Sequence, residues 1–253
     1  MPFQNRTDAG RKLAKALLKY RSGHPVVLAL PRGGVSVAAE VAASLDAPLD
    51  LILVRKIGLP SQPELAMGAV VDGDKPTVIR NNDVIELSGV SERTFQQVCS
   101  EEHAEIERRR QRYLGGRARS EVKGKVAIIV DDGIATGATT LAAIRAVRKR
   151  EPKELVLAVP VAPADAVEKL HSEVDAIVCL ETPRDLGAIG YFYRDFRQIS
   201  DDEVIAILKR FPANKPAQAP CDPMPSVLLT DQVRAARTWL IDATKSASFH
   251  YRE

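Results

Sequence analysis

The chain has 253 residues, of which 45% are hydrophobic and 27% charged, and it carries a formal net charge of +3. That length supports one good core with a small appendage, and the charge is too small to imply a nucleic-acid surface while leaving room for a local anion pocket. Cys99, Cys179 and Cys221 are widely spaced and odd in number, with no CxxC pair and no Cys/His ligand spacing. The N-terminus has no apolar leader core, and no apolar run reaches membrane-spanning length. These features predict a cytoplasmic protein.

In chain order, Thr7 or Asp8 is placed to cap a helix running to about Tyr20, with Leu13, Leu17 and Tyr20 on one stripe. Residues 26–30 form a short apolar strand, followed at once by Pro31-Arg32-Gly33-Gly34 and a helical segment over 35–45. Residues 49–56, LDLILVRK, predict a second strand, and 57–64, IGLPSQPE, a loop, because two prolines and a glycine crowd it. Residues 67–71 and 77–80 flank Asp72-Gly73-Asp74-Lys75 as a hairpin. A long helix follows over 91–114, then a strand over 126–130, a helix over 139–150 and a strand over 155–160. Pro163 suits the first turn of a further helix. Residues 175–180 are a strand, and Ser200 with Glu203 makes a capping-box pattern before a helix to about Arg210.

Strand and helix alternate, and the central strands are continuous apolar runs, the pattern of a parallel sheet covered on both faces. The expected fold class is α/β, a Rossmann-like open sheet, with ligands bound at the carboxyl ends of its strands. Residues 1–211 form the expected main domain. Residues 212–229 are a Pro-rich arm and 230–253 a terminal helix and tail, docked on the body or on a neighbouring subunit.

The stretch VAIIVDDGIATGATT ends an apolar strand with two adjacent acids, Asp131 and Asp132, and continues in small residues and threonines. It is no Walker loop, since no lysine sits near Gly137, and GxGxxG is absent. Backbone N–H groups at such a helix start bind phosphate without a basic side chain. Gly133, Gly137 and Ala138 let the backbone approach closely, and Thr136, Thr139 and Thr140 add hydroxyl donors. Asp131 and Asp132 can accept hydrogen bonds from vicinal sugar hydroxyls. A ribose 5-phosphate satisfies both demands with one molecule. The plainer alternative makes Asp132 a helix cap. In the other loop, Arg32 offers a planar fork for phosphate oxygens, and Gly33 and Gly34 permit close approach; an ordinary glycine turn is the competing account.

The string 126–140 resembles the phosphoribosyl-pyrophosphate (PRPP) signature of the type I phosphoribosyltransferases, in which an apolar strand, two acids and a small/Thr/Gly loop follow one another. ALPRGGV, VRKIGLPSQPELAMGAV and AIGYFYRDF resemble segments of a broad bacterial subgroup of that family, over roughly residues 11–211. The resemblance implies transfer of the 5-phosphoribosyl group from PRPP to a nitrogen nucleophile, in the manner of nucleobase salvage, with release of pyrophosphate. Asp131 and Asp132 would hold the ribose. The amides and side chains of Gly133, Ile134, Ala135, Thr136, Gly137, Ala138, Thr139 and Thr140 would hold the 5-phosphate. Arg32, Gly33, Gly34, Arg55 and Lys56 would take the pyrophosphate. Mg2+ would act mainly through PRPP and water, with no dedicated protein ligand set. Residues 57–70 would correspond to a mobile loop closing over the centre.

Ala135 stands where 6-oxopurine enzymes usually carry an aspartate, which favours an adenine-type acceptor. Tyr191, Phe192 or Tyr193 would stack on the acceptor and Asp195 would read its edge, unless these aromatics are plain packing. The Glu105–Arg109 and Glu107–Arg110 pairs suit a solvated helix surface; the alternative is an anion-binding lid through Arg109 or Arg112. Two other classes stay open: a PRPP-sensing regulator without catalysis, and an assembly role. The expected partners are PRPP and a small-molecule acceptor, with a homodimer as the default assembly and neither nucleic acid nor membrane.

Overall fold

The computed structural model describes residues 2–73 and 76–211. The expected arm and terminal helix, and the turn residues Asp74 and Lys75, lie outside the described residues. Five parallel strands form the main sheet in the order β2-β1-β6-β7-β8: β1 is Val26–Ala29, β2 Leu49–Leu51, β6 Val126–Val130, β7 Glu154–Val161 and β8 Ala176–Glu181. Because side chains alternate along a strand, each strand feeds two cores. Val27, Ala29, Ile128, Val130, Val156 and Ala158 face one core, with helices α1 (Arg6–Leu17), α2 (Gly33–Leu45), α4 (Glu92–Leu114) and α7 (Asp201–Lys209). Val26, Leu28, Ala127, Ile129, Leu155 and Leu157 face the other, with α5 (Ala138–Arg148) and α6 (Ala164–His171). This is the open α/β sheet expected from the apolar runs.

Helix boundaries follow their caps. The side chain of Asn5, rather than Thr7 or Asp8, caps α1 by accepting from the Asp8 N–H at 3.0 Å. That helix stops at Leu17 and continues as a 3-10 turn, Leu18–Gly23. Ser91 caps α4, Pro163 precedes α6, and Ser200 and Glu203 form the reciprocal box at α7. The short helix α3, Asn82–Ser88, begins where Asn81 accepts from the Val84 N–H, and no expectation covered it.

Two expectations are corrected. The stretch 49–56 is not one strand: β2 ends at Leu51, and β3, Val54–Leu59, belongs to a separate antiparallel sheet with β4 (Gln62–Val71) and β5 (Thr77–Arg80). Asp72 makes the break. It accepts from the Leu53 N–H at 2.9 Å, donates its own N–H to the Leu53 carbonyl at 2.9 Å, and meets Arg110 and Arg119 at 3.1 Å each. Burial raises the Asp72 carboxyl above its ordinary value, against the backbone hydrogen bond from Leu53 and the two arginines.

Residues 57–64 are likewise not a loop. They lie mostly in the two strands of a β3–β4 hairpin, with register shifts on either side of Gly58. A Cβ at Gly58 would lie 2.7 Å from the Pro63 carbonyl oxygen, so the glycine marks a bulge at a close strand crossing. The β4–β5 pairing is the hairpin expected around Asp72 and Gly73.

Candidate active site

The two loops singled out in the sequence meet at the carboxyl end of the sheet. β1 and β6 are adjacent and parallel, so the Pro31–Gly34 turn after β1 lies against the acids after β6. A Cβ added at Gly33 would fall 1.9 Å from Asp132 Oδ2, and one at Gly34 would fall 2.9 Å from the Asp131 Cα and from the Val130 carbonyl oxygen. Only glycine allows that approach. The Pro31–Arg32 peptide is cis. Arg32 is half-buried, with Nη1 3.7 Å from Asp201 Oδ1 at the start of α7.

Asp132 is buried and already has partners. Its Oδ2 accepts from Arg6 Nε at 2.6 Å, and its carbonyl accepts from the Tyr193 hydroxyl at 2.5 Å. Arg6 also donates Nη1 to the Arg197 carbonyl at 2.8 Å and lies 3.9 Å over the Phe196 ring. Its position depends on α1 packing closely on α2: a Cβ at Gly10 would meet the Val37 carbonyl oxygen at 2.7 Å. Asp132 therefore ties together α1, the Arg32-Gly33-Gly34 loop and the 193–197 segment. The plainer alternative, in which Asp132 merely caps the helix, is not met, because α5 begins at Ala138 without a side-chain cap.

Asp131 differs from its neighbour. Its Oδ1 accepts from the Asp132 N–H at 2.8 Å, and it lines a small cavity of about 70 Å³ with Pro31, Arg55, Arg109 and Thr139. Burial, and then the adjacent Asp132 charge, push its carboxyl well above the ordinary carboxylate value. Among the described residues no group of three or more His, Cys, Asp or Glu side chains could hold a metal ion. Asp131 is the carboxylate that borders this cavity.

The loop after the acids divides by role. Gly137 has φ +79° and precedes α5, whose first intrahelical bond is Leu141 N–H to the Gly137 carbonyl at 2.8 Å. The amides of Ala138, Thr139 and Thr140 lie ahead of that bond and have no intrahelical acceptor. Ala135, Thr136, Ala138 and Thr139 are exposed, whereas Thr140 is buried. Ile134 is corrected: its amide donates to the Val161 carbonyl at 2.9 Å and its side chain packs in the apolar core, so it supports the loop from beneath. Gly133 is held by sterics, since a Cβ there would meet Ile189 at 2.6 Å.

Arg55 and Lys56 both sit on β3, and each has a carboxylate partner. Arg55 Nε donates to Glu102 at 2.6 Å, and Lys56 Nζ to Glu64 at 3.1 Å. Lys56 lines a larger cavity of about 470 Å³ together with Ala138 and Thr139, and Val54 and Thr139 line both cavities. Tyr191 is 78% exposed, free to present its ring. Tyr193 is corrected as a stacking candidate: it is buried against Phe3 and Phe196, and burial raises its hydroxyl pKa. Asp195 accepts from the Arg197 N–H at 3.1 Å and lines another cavity, of about 250 Å³, with Arg6, Glu40 and Glu203. The structure does not bring it to the cavity of Asp131 and Thr139.

Sequence reasoning missed Arg6 altogether and saw Asp201 only as part of a helix start. The missed signal was weak: a lone arginine at a helix N-terminus, where acids are favoured. The first residues also pair with the 192–195 segment, Phe3 N–H to the Phe192 carbonyl at 2.7 Å and Arg194 N–H to the Phe3 carbonyl at 2.8 Å.

An open parallel sheet with an acid pair and a small-residue helix start at its carboxyl edge defines a ligand-binding α/β domain of the phosphoribosyltransferase kind. A family model for the phosphoribosyl transferase domain matches residues 3–191, and the chain belongs to that family. It is 47% identical over 208 residues to curated proteins of two Mycobacterium tuberculosis strains, H37Rv and CDC 1551 / Oshkosh, each named "Putative phosphoribosyl transferase". The match covers 82% of this chain but 46% of each relative, so the chain spans less than half their length. The crystal structure of TT1426 from Thermus thermophilus is similar, with a TM-score of 0.73 and 39% identity over 84% of this chain and all of that one. No helix among the described residues is long and apolar enough to cross a membrane.

Proposed function

We propose that this chain binds PRPP at the carboxyl edge of the main sheet and transfers its phosphoribosyl group to a nitrogen nucleophile, a nucleobase by preference, releasing pyrophosphate. The observation that carries this is the close approach of Gly33 and Gly34 to the Asp131-Asp132 tip, so tight that a Cβ at either glycine would clash, ahead of an open helix start. In this reading the amides of Ala138, Thr139 and Thr140, with the Thr136 and Thr139 hydroxyls, hold the 5-phosphate. Asp131 accepts from the ribose hydroxyls and faces the positive charge that develops on the ring as the bond to pyrophosphate breaks. Arg32 and the Gly33 and Gly34 amides hold the departing pyrophosphate, with Arg55 and Lys56 supplying further positive charge. Asp131 would be the side chain nearest a Mg2+ ion bound with PRPP, and such an ion would supply charge neutralisation for the pyrophosphate. Asp132 acts indirectly, by holding the glycine loop in place. The exposed Tyr191 ring offers a stacking face for a planar acceptor. A cytoplasmic setting follows from a multiply charged phosphorylated substrate that does not cross membranes unaided.

Asp131→Asn tests this reading. Calorimetric titration with PRPP and Mg2+ should show saturable binding to the parent chain and a loss of roughly 10-fold or more in the variant. Release of pyrophosphate in the presence of adenine should fall with it. Binding without release with any base would instead favour a PRPP-sensing role, and no binding by the parent chain would sink the reading. The same variant should be more stable than the parent at neutral pH. A carboxyl whose folded-state pKa is raised disfavours folding as soon as pH exceeds its unfolded value, so the difference grows from the ordinary carboxylate range up to the raised value and stays constant above it. It vanishes below the ordinary carboxylate range near 3.8. We expect about 1 kcal/mol at pH 7.5, or roughly 2–4 °C in melting temperature.

A further inference from the structure

Helix α4 packs on the body through one stripe, and two charged residues interrupt it. Phe95, Cys99, Ile106, Tyr113 and Leu114 are its buried positions. Glu102 and Arg109 fall between them at helical spacing and are half-buried. An arginine on the core side of a helix has to meet something polar. Here the stripe passes the small cavity at the strand ends, and Ile106 and Arg109 line it together with Asp131, Pro31, Arg55 and Thr139.

The two arginines of this cavity are held in the same way. Arg55 donates Nε to Glu102 at 2.6 Å, and Arg109 donates Nε to Glu105 at 2.7 Å. Neither uses its Nη groups in a hydrogen bond among the described residues, so both forks keep donors for a further acceptor. Glu105 is shared: Arg108 takes it with two bonds, at 2.7 and 2.9 Å. The two guanidiniums hold the Glu105 carboxyl down to about 2. One carboxylate against two arginines leaves an uncompensated positive charge beside the cavity. Asp131 is the acid that lines the same cavity, and burial disfavours its ionised form. Arg32 and Arg112 converge nearby on Asp201, at 3.7 and 2.7 Å.

We propose that Arg109, on α4, is a pyrophosphate-binding residue that works with Arg55 as a second wall facing the Arg32-Gly33-Gly34 loop. This rests on the PRPP-binding reading and extends it to a helix that sequence patterning marks as a solvated surface. A pyrophosphate presents many acceptor oxygens and several negative charges, which suits two guanidinium forks on one side and backbone amides on the other. Arg109 turns its free donors to the ligand, and Glu105 stays with Arg108.

The adjacent Arg108 supplies the control, because it binds the same glutamate but lies outside the cavity lining and is more exposed, 59% against 36% for the side chains. The experiment titrates inorganic pyrophosphate, and separately PRPP, each with Mg2+, into the parent chain and the Arg109→Ala, Arg109→Lys and Arg108→Ala variants. Melting curves accompany each titration. Arg109→Ala should weaken pyrophosphate binding by about 10-fold to 100-fold. Arg109→Lys, which keeps the charge but not the fork, should recover part of the loss. Arg108→Ala should stay within roughly 2-fold, as expected of an exposed pair. Equal affinities for Arg109→Ala, Arg108→Ala and the parent chain would overturn this inference and leave PRPP binding standing. If Arg109→Ala does not fold, Arg109→Lys decides: parent-like affinity overturns the proposal and an intermediate loss supports it. A parent chain that binds neither probe overturns the PRPP reading, and this inference with it.

Discussion

Arg6→Ala should lower stability by about 3–5 kcal/mol, because it leaves the buried Asp132 carboxylate without its guanidinium. For a domain of this size that is a fall in melting temperature on the order of 10 °C. The variant also loses the stacking on Phe196 and the bond to the Arg197 carbonyl, so the 193–197 segment should loosen with it. A double-variant cycle separates the terms. Asp132→Asn added to Arg6→Ala should be more stable than Arg6→Ala alone, since a neutral amide needs no ion partner. Thermal and urea melts of the four proteins are sufficient. A cost below about 1 kcal/mol for Arg6→Ala would show that Asp132 reaches water or another cation and would remove the basis for its role as a structural tie.

Gly33→Ala should weaken PRPP binding by on the order of 100-fold, with a smaller effect on the fold. Its Cβ would sit 1.9 Å from Asp132 Oδ2 and 2.5 Å from Asp132 Cγ. Asp132 resists displacement, because Arg6 holds its carboxylate and the Tyr193 hydroxyl its backbone carbonyl. The Arg32–Gly34 turn has to move away from the sheet edge instead. A displacement near 1 Å is enough to cost on the order of 100-fold in a positioned phosphoryl site. Gly116→Ala is the matched control, since a Cβ there meets nothing within 4 Å. Titration with PRPP and Mg2+ reads the difference, and parent-like affinity for Gly33→Ala would mean that this loop does not contact the ligand.

The two predictions concern the same few ångströms, yet their sequence signals differ. The glycines of PRGG and the acids of DDGIATGATT are local features. Each ends an apolar strand buried on both faces, and a parallel sheet carries both to one edge. The family resemblance over residues 11–211 agrees with the 3–191 match because these motifs are continuous in the chain. Arg6 is different. It lies 126 positions before Asp132, and its place follows from α1 packing on α2 around Gly10, a contact that leaves no periodic trace.

The corrected elements fail for a related reason. LDLILVRK is apolar throughout and reads as one strand, but Asp72, 19 positions beyond Leu53, captures the Leu53 amide and turns the chain into a second sheet. IGLPSQPE carries the punctuation of a loop, whereas its glycine and prolines serve a bulge and a tight turn between paired strands. Arg109 looks like a surface charge until Ile106 and Tyr113 beside it are seen to be buried.

The sequence alone determined the α/β class, the order of the main strands and helices, the family, and the two loops that face the proposed ligand. Apolar periodicity, capping residues and contiguous motifs are properties of neighbouring residues and survive without coordinates. Tertiary structure alone decided that the acid pair splits, with Asp132 sealed by Arg6 and Tyr193 and Asp131 left facing the cavity. It also decided that Asp195 faces elsewhere and that α4 turns an arginine inward. Those outcomes depend on burial and on long-range ion pairing, which arise only when distant segments pack together and water is excluded from between them.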